Sequence, residues 1–175
     1  WVIELTGNTR HLSKREEAVD AIAAACDLIP RLNAMTFSGA LSEAHRGINR
    51  MHVGVFHGAL GRELHEWRPP QVADFARLKG SGRYAPGQTE AGAVADIRAE
   101  LDALERRFPG LRATLRVEKK EGHRSMPAFE VAPHARIVQV MNAAYQTVRG
   151  EPQPTGAITP PGFYGTSDAR RALNL

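Results

Sequence analysis

The sequence predicts an α+β domain of the ferredoxin-like type, in which the order βαββαβ gives a four-stranded antiparallel sheet with two helices on one face. Three observations lead to this fold class. Short segments alternate apolar and polar residues, longer segments carry apolar residues at helical spacing, and the two kinds follow one another in this order. The unit accounts for about residues 1–120. Residues 121–175 follow as a linker and a C-terminal helical segment.

The first strand and helix come from residues near the start of the chain. Alternation over residues 1–7 predicts a half-buried strand. Ser13 and Glu16 then form a capping-box pattern, which predicts the start of a helix that reaches about Asn33. Residues 36–50 are predicted to form a loop.

Two further strands are predicted in the middle of the chain. One covers His52–Gly58, with Val53 and Val55 facing inward. Another spans about Val72–Tyr84, after a proline pair that could not lie inside a central strand.

The second half of the unit starts from a clear turn. Pro86 and Gly87 predict a turn, and Thr89 is predicted to cap an amphipathic helix that ends at residues 109–110. A last strand is predicted over residues 111–117, and a third helix lies within residues 137–150.

Composition narrows the class of protein. The chain has 175 residues, a formal net charge of +4 and one cysteine. Cys26 therefore has no partner for an internal disulfide, which favours a reducing, cytoplasmic setting. No apolar run approaches the ~20 residues that a membrane helix needs, so no membrane partner is expected.

Histidine spacing does not predict a metal site. Seven histidines are present, but no H-E-x-x-H, no His-x-Asp and no cysteine pair occurs. His52 and His57 lie five residues apart, which would place them on opposite faces of a strand. We therefore expect no metal to be bound by this chain.

Two residues are candidates for contact with a ligand. His11 lies in a fixed loop after the first strand, and Arg83 lies at a strand end beside the Pro-Gly turn. Arg83 could pair with a carboxylate through two hydrogen bonds. Considered individually, a surface histidine and a salt-bridge arginine are the ordinary interpretations.

Four motifs in order resemble a known enzyme family. They are a glycine followed four residues later by histidine, a Val-Gly-Val strand, an arginine ending a strand before a helix, and a Gly-Thr-Ser-Asp-Ala segment after a helix. Here they are Gly7 to His11, Val53-Gly54-Val55, Gly82-Arg83 and Gly165-Thr166-Ser167-Asp168-Ala169. Together they resemble the lid and flanking segments of the zinc-dependent deacylases and peptidases that include acetylornithine deacetylase, succinyl-diaminopimelate desuccinylase, aminoacylase and carboxypeptidase G.

The resemblance implies a role for each motif. Residues 1–120 would be a lid and dimerisation domain, and residues 121–175 would return into a catalytic domain. His11 would reach the partner's active site in a homodimer and stabilise the oxyanion, and Arg83 would face the substrate carboxylate. Thr166 and Asp168 would border the substrate pocket. The full-length parent would hold zinc and cleave an N-acyl amino acid or a peptide.

The departures from the family limit what this chain could do alone. The family's asparagine after the second lid strand is absent from residues 60–70, so that contact is not carried over. The metal ligands are absent as well, and a zinc-bound water needs about three protein ligands. By itself the chain is expected to be catalytically incomplete.

Two other functions remain as alternatives. A ferredoxin-like module could bind nucleic acid or a small ligand, as the basic charge suggests. RNA-binding sheets use exposed aromatic rings, however, and the strands here offer only Phe56, Phe75 and Tyr84, so no nucleic-acid partner is expected. A purely structural oligomerisation domain is the other alternative.

Overall fold

A four-stranded antiparallel sheet forms the centre of the protein. The computed structural model describes residues 1–47, 50–66, 70–119, 128, 130–132 and 134–152. The strands lie in the order β2-β3-β1-β4, so β2 and β4 are the edges. The strands are β1 (Val2–Thr6), β2 (Arg50–Ala59), β3 (Phe75–Arg83) and β4 (Arg112–Arg116).

In the described ranges four helices accompany the sheet. They are α1 (Ala21–Ala34), α2 (Glu43–Arg46), α3 (Glu90–Arg107) and α4 (Arg136–Arg149). A short 3₁₀ turn at Leu12–Glu17 precedes α1. The order confirms the predicted α+β class and the βαββαβ unit, with α4 following it.

The core lies between the sheet and the two long helices α1 and α3. Leu28 of α1 and Leu101 of α3 are fully buried in one cluster with Ile3, Leu5 and Leu78 of the central strands. Burying such a side chain stabilises the fold by about 1.5–3 kcal/mol. The side of the sheet that packs on α1 and α3 is called the helix face below, and the opposite side is called the open face.

The first helix begins later than the capping box predicted. Lys14 has a non-helical backbone, and Val19 forms an antiparallel bridge to Asn8 that keeps the chain extended there. Asp20 is the actual cap, and its carboxylate accepts a hydrogen bond from the Ala23 N–H at 2.9 Å. The prediction of a helix starting at Ser13 is therefore wrong, while its end near Asn33 is confirmed.

A bulge in β2 changes the faces expected for its side chains. The register shifts between Val53 and Val55, so Val53 packs on the core while Val55 opposes Lys79 and is 42% exposed on the open face. The inward orientation predicted for Val55 is wrong. The same bulge places His52 and His57 on one face, opposite Ser81 and Arg77.

The second half of the unit follows the prediction. The Thr89 hydroxyl caps α3 by accepting from the Gly92 N–H at 3.0 Å.

Residues 36–50 include the short helix α2, which was predicted as loop. The predicted C-terminal helix is confirmed as α4, which contacts no other helix or strand of the described chain. None of the described helices has the length and apolar content to cross a membrane.

Candidate functional site

His11 lies in the loop that connects β1 to α1, at residues 7–20, and this loop is fixed at both sides. Asn8 and Val19 exchange backbone hydrogen bonds of 3.1 and 2.9 Å. A Cβ on Gly7 would overlap the Val19 carbonyl oxygen, so glycine is needed for this close approach. The loop is thus closed at its base.

A second pair of backbone bonds holds the middle of the same loop. Leu12 donates to the Pro70 carbonyl at 2.6 Å, and Val72 donates to the Arg10 carbonyl at 2.9 Å. His11 lies between these bonds, opposite Gln71. The ring is exposed but its backbone has the support of a neighbouring segment.

The charged groups around His11 are exposed. Arg10 and Lys14 lie 3.6 and 3.9 Å from the Glu17 carboxylate. Exposed pairs of this kind contribute little to stability, about 0–1 kcal/mol each. Besides His11, residues 7–20 hold three cationic and three anionic side chains, so these charges of the loop balance.

Arg83 lies at the opposite end of the sheet from His11. Phe75 pairs with Thr6, just before the His11 loop, whereas Arg83 ends β3 and pairs with Arg50. Eight residues of strand separate Phe75 from Arg83, which is about 27 Å. One copy of the chain therefore does not bring His11 and Arg83 to a single small substrate.

The turn that follows Arg83 is held by the side chain of Gln88. The Gln88 side chain is buried; its oxygen accepts from the Ala85 N–H at 2.6 Å and its nitrogen donates to the Phe37 carbonyl at 2.6 Å. These bonds join the segment that follows β3 to the segment that follows α1. The predicted turn before α3 is thereby confirmed and explained.

A cleft of about 410 Å³ lies between the segment after α1 and helix α3. Its walls include Phe37, Arg46, Asp96 and Glu100. Asp96 accepts hydrogen bonds from the Ser38 backbone at 2.7 Å and hydroxyl at 3.0 Å. Its carboxylate is therefore used to hold the walls together, and the cleft contains neither candidate residue.

The open face carries a buried carboxylate that the sequence did not single out. Glu4 is 8% exposed and bonds to both Arg62 and Arg77, the latter at 3.0 Å. Both guanidinium groups lie over the Phe75 ring, 5.3 and 5.4 Å from its centre. Simple alternation predicts a polar residue at position 4 but does not reveal its partners, which are distant in sequence.

The same cluster bears on the nucleic-acid alternative. Phe75 is only 1% exposed because the two arginines cover it. Phe56 opposes Leu78 and so points to the helix face, and Tyr84 lies beyond the end of β3. On its open face the described sheet thus lacks the exposed stacked rings that RNA-binding sheets of this topology use.

Neither a metal site nor the last two candidate residues are found in the described part of the chain. Within those ranges, no three His, Cys, Asp or Glu residues are grouped closely enough to hold a metal ion. His52 and His57 share a face but oppose positions four residues apart on β3, about 13 Å. Thr166 and Asp168 lie outside the described residues, so their roles stay predictions.

Several solved structures that are similar to this fold are named as peptidases or amidohydrolases. A tripeptidase from Staphylococcus aureus aligns with a TM-score of 0.56 and 21% identity, over 85% of this chain and 34% of its own. Aminopeptidase PepT from Bacillus cereus aligns with a TM-score of 0.60 and 18% identity, over 99% of this chain and 39% of its own. A Burkholderia cenocepacia protein assigned as an amidohydrolase/peptidase gives 0.58 and 18%, over 85% and 32%.

These similarities establish the fold, and they match the kind of enzyme that the sequence motifs resemble. The chain spans about a third of the length of each neighbour. No protein-family model and no curated protein matches the sequence. The chain therefore shares its fold with about a third of each of these neighbours.

Proposed function

We propose that this chain is the lid and dimerisation segment of a metal-dependent hydrolase that cleaves an N-acyl amino acid or a peptide. The observation that carries the proposal is the match of nearly the whole chain to about a third of a peptidase, at a TM-score of 0.60. In this proposal residues 1–120 form the lid, residues 121–175 return into the catalytic domain, and the protein acts in the cytoplasm.

The zinc of the parent enzyme would be held by segments other than the described ones. The described residues contain no suitable group of metal ligands, so their part in the reaction is limited to the substrate. The lid would contribute His11 and Arg83, and the later segment would contribute Thr166 and Asp168. Each would bind or orient the substrate rather than hold the ion.

The two sheet edges support a homodimer joined through β2. On β4, the Ala113 N–H donates to Glu105 at 2.7 Å and the Ala113 carbonyl accepts from Arg98 at 2.8 Å. Both side chains belong to α3, and together they bond the N–H and the carbonyl of Ala113 on that edge. Covered, charged and short edges resist pairing with another strand.

The β2 edge has the opposite character. It is ten residues long, and it presents Val55 and Phe56 with exposures of 42% and 38%. The Asn33 side chain accepts a hydrogen bond from the Val53 N–H at 3.1 Å. In the described chain, no side chain forms a hydrogen bond with the backbone of residues 55–59. A long edge with exposed apolar residues is a natural site for strand pairing.

Antiparallel pairing of two β2 edges would resolve the separation of His11 and Arg83. Ala59 marks the His11 end of the sheet and Arg50 marks the Arg83 end. A two-fold axis through the seam reverses one sheet relative to the other. The His11 end of one copy would then lie beside the Arg83 end of its partner, as a shared substrate site requires.

Sedimentation of the chain and two matched variants tests the seam. We expect a dimer for the unmodified chain, at least tenfold weaker association for Val55→Lys on β2, and an unchanged dimer for Thr114→Lys on β4. Lysine on an edge opposes strand pairing, and both positions are exposed. A monomer at every concentration, or equal effects of the two variants, would contradict the proposal.

A separate test concerns the hydrolase itself. Reading the coding sequence around these residues should reveal a His-x-Asp motif upstream and further metal ligands downstream. The longer protein should then hydrolyse N-acyl amino acids or small peptides and lose activity with a chelator, whereas the 175-residue chain with added zinc should not. Zinc-dependent hydrolysis by the chain alone would overturn the assignment as a lid.

A further inference from the structure

Two hydrogen-bonding groups of Ser13 contact Nδ1 of the His11 ring. The Ser13 backbone N–H donates to His11 Nδ1 at 3.2 Å, and the Ser13 hydroxyl oxygen lies 2.9 Å from the same nitrogen. His11 thereby serves as the cap of the 3₁₀ turn that begins at Leu12. The contact is local, two residues along the chain.

These two contacts determine where the ring proton lies. A backbone N–H can only donate, so Nδ1 must offer its lone pair and carries no proton. The hydroxyl at 2.9 Å must then donate as well, because Nδ1 has nothing to give. In the neutral ring the one remaining proton is on Nε2.

The opposite nitrogen points away from these contacts. His11 is exposed, and no bond from Nε2 to another part of the described chain is present. The loop that carries the ring is held by the bonds to Pro70 and from Val72. The loop thus holds the ring in place, and its Nε2–H can donate a hydrogen bond to a ligand.

We propose that Ser13 is a positioning residue that keeps Nδ1 of His11 unprotonated and directs its Nε2–H toward the oxygen of a bound amide. The acceptor would be the scissile carbonyl oxygen, which gains negative charge as water adds to the carbon. The identity of this acceptor depends on the proposed function. The state of the ring depends only on the geometry of this chain.

Nitrogen-15 NMR of the histidine-labelled 175-residue chain tests the state of the ring. His11 should give the signature of an Nε2–H tautomer, with a protonated Nε2 and an unprotonated Nδ1. Ser13→Ala removes the hydroxyl donor and keeps the backbone N–H, so it should increase the Nδ1–H population and the ring mobility in part. Ser13→Thr should restore the original signals because it keeps both donors. The His57 signals, from an exposed ring on another strand, serve as the internal control.

Two results would count against the proposed state of the ring. An Nδ1–H tautomer in the unmodified chain, or a Ser13→Ala spectrum identical to it, would overturn the proposal. If Ser13→Ala also disturbed the His57 signals and Ser13→Thr did not recover them, the residue would be merely structural and the proposal would fail.

Kinetics of the longer enzyme separate this inference from the proposed function. Ser13→Ala should lower kcat with little change in KM. The loss should be smaller than the loss of about 10²–10³-fold that is expected when an oxyanion donor is removed. Ser13→Thr should recover the rate. The expected NMR signature together with full activity of His11→Ala would refute the proposed role of the lid and leave the Ser13–His11 pair intact.

Discussion

At the scale of single residues, two glycines on neighbouring strands differ in what surrounds them. Gly80 on β3 lies under the Trp1 ring, and a Cβ there would overlap both that ring and the His52 carbonyl oxygen. Gly54 on β2 differs, because its nearest neighbours would lie 3.7 Å from an added Cβ. Only Gly80 is therefore required by the packing around it.

Gly80→Ala is expected to destabilise the fold by about 1–3 kcal/mol, since the methyl group must displace backbone or an aromatic ring. Gly54→Ala, in the neighbouring strand, is expected to change the free energy of unfolding far less. Urea denaturation followed by circular dichroism measures both. Equal stabilities for the two variants would contradict the packing described for Gly80.

The buried carboxylate of Glu4 allows a second prediction at this scale. Glu4→Gln keeps the shape but removes the charge that pairs with Arg62 and Arg77, so it should destabilise the fold by about 1–3 kcal/mol. Glu118→Gln is the control on the same face, where the carboxylate is exposed and bonds to Lys79 at 2.8 Å. Thermal melting should show a clear loss for Glu4→Gln and a much smaller one for the control.

At the scale of elements, α1 illustrates how two capping signals compete. The Ser13–Glu16 pattern is locally sound, but the Ser13 groups bond to His11 and the chain must remain extended at Val19 to pair with Asn8. Asp20 therefore becomes the cap. The start of the helix is decided by contacts with the segment that follows β1.

Asp20→Ala is accordingly expected to cost about 1 kcal/mol, as for loss of a helix cap. Glu16→Ala removes the residue that the capping box requires, yet it should leave stability nearly unchanged. Denaturation curves of the two variants decide which residue starts the helix. A larger loss from Glu16→Ala would mean that α1 begins at the earlier signal.

The same elements show how far sequence patterns reach. Alternation and helical spacing predicted all four strands and α3, because burial of one face imposes these periods. The β2 bulge was not predicted, since Val53-Gly54-Val55 also fits simple alternation and only pairing with β3 reveals the shift. His11 was identified from a motif, and its bond to Ser13, though local, was overlooked because histidine is an uncommon cap.

At the scale of the whole molecule, an ion-pair network joins the two long helices. Asp27 of α1 accepts from Arg107 of α3 at 2.8 Å and from Arg31 at 3.2 Å. Burial acts to raise the pKa of Asp27, but the bonds from Arg107 and Arg31 outweigh it and hold that pKa below its usual value. Folding therefore favours the ionised carboxylate.

This shift predicts a loss of stability in acid. Because the folded pKa of Asp27 is depressed, its contribution is present above the unfolded pKa of about 4 and disappears as the pH falls through the folded value. Asp27→Asn should be less stable than the unmodified chain at neutral pH, and the difference should shrink below about pH 4. Melting temperatures across pH measure this, and Arg107→Gln should reproduce the pattern. A constant difference at all pH values would exclude the linkage.

Helix α4 provides a prediction about cooperativity. Its apolar side chains Ile137 and Met141 are 61% and 59% exposed, and the helix contacts no other described element. Met141→Lys should change the stability of the sheet unit by no more than about 0.5 kcal/mol. Ile97→Ala, on the buried face of α3, should cost about 2–5 kcal/mol. A large effect of the α4 variant on the main unfolding transition would show that this helix belongs to the same core.

The two edges of the sheet differ, and this difference limits how many copies of the chain can join by strand pairing. On β4, side chains of α3 bond to the backbone of Ala113, whereas on β2 no side chain of the described chain bonds to the backbone of residues 55–59. If two copies pair through β2, as proposed above, neither keeps an open β2 edge for a third copy, and assembly stops at the dimer. This protein should therefore stay free of fibres at concentrations where a sheet open on both sides would polymerise.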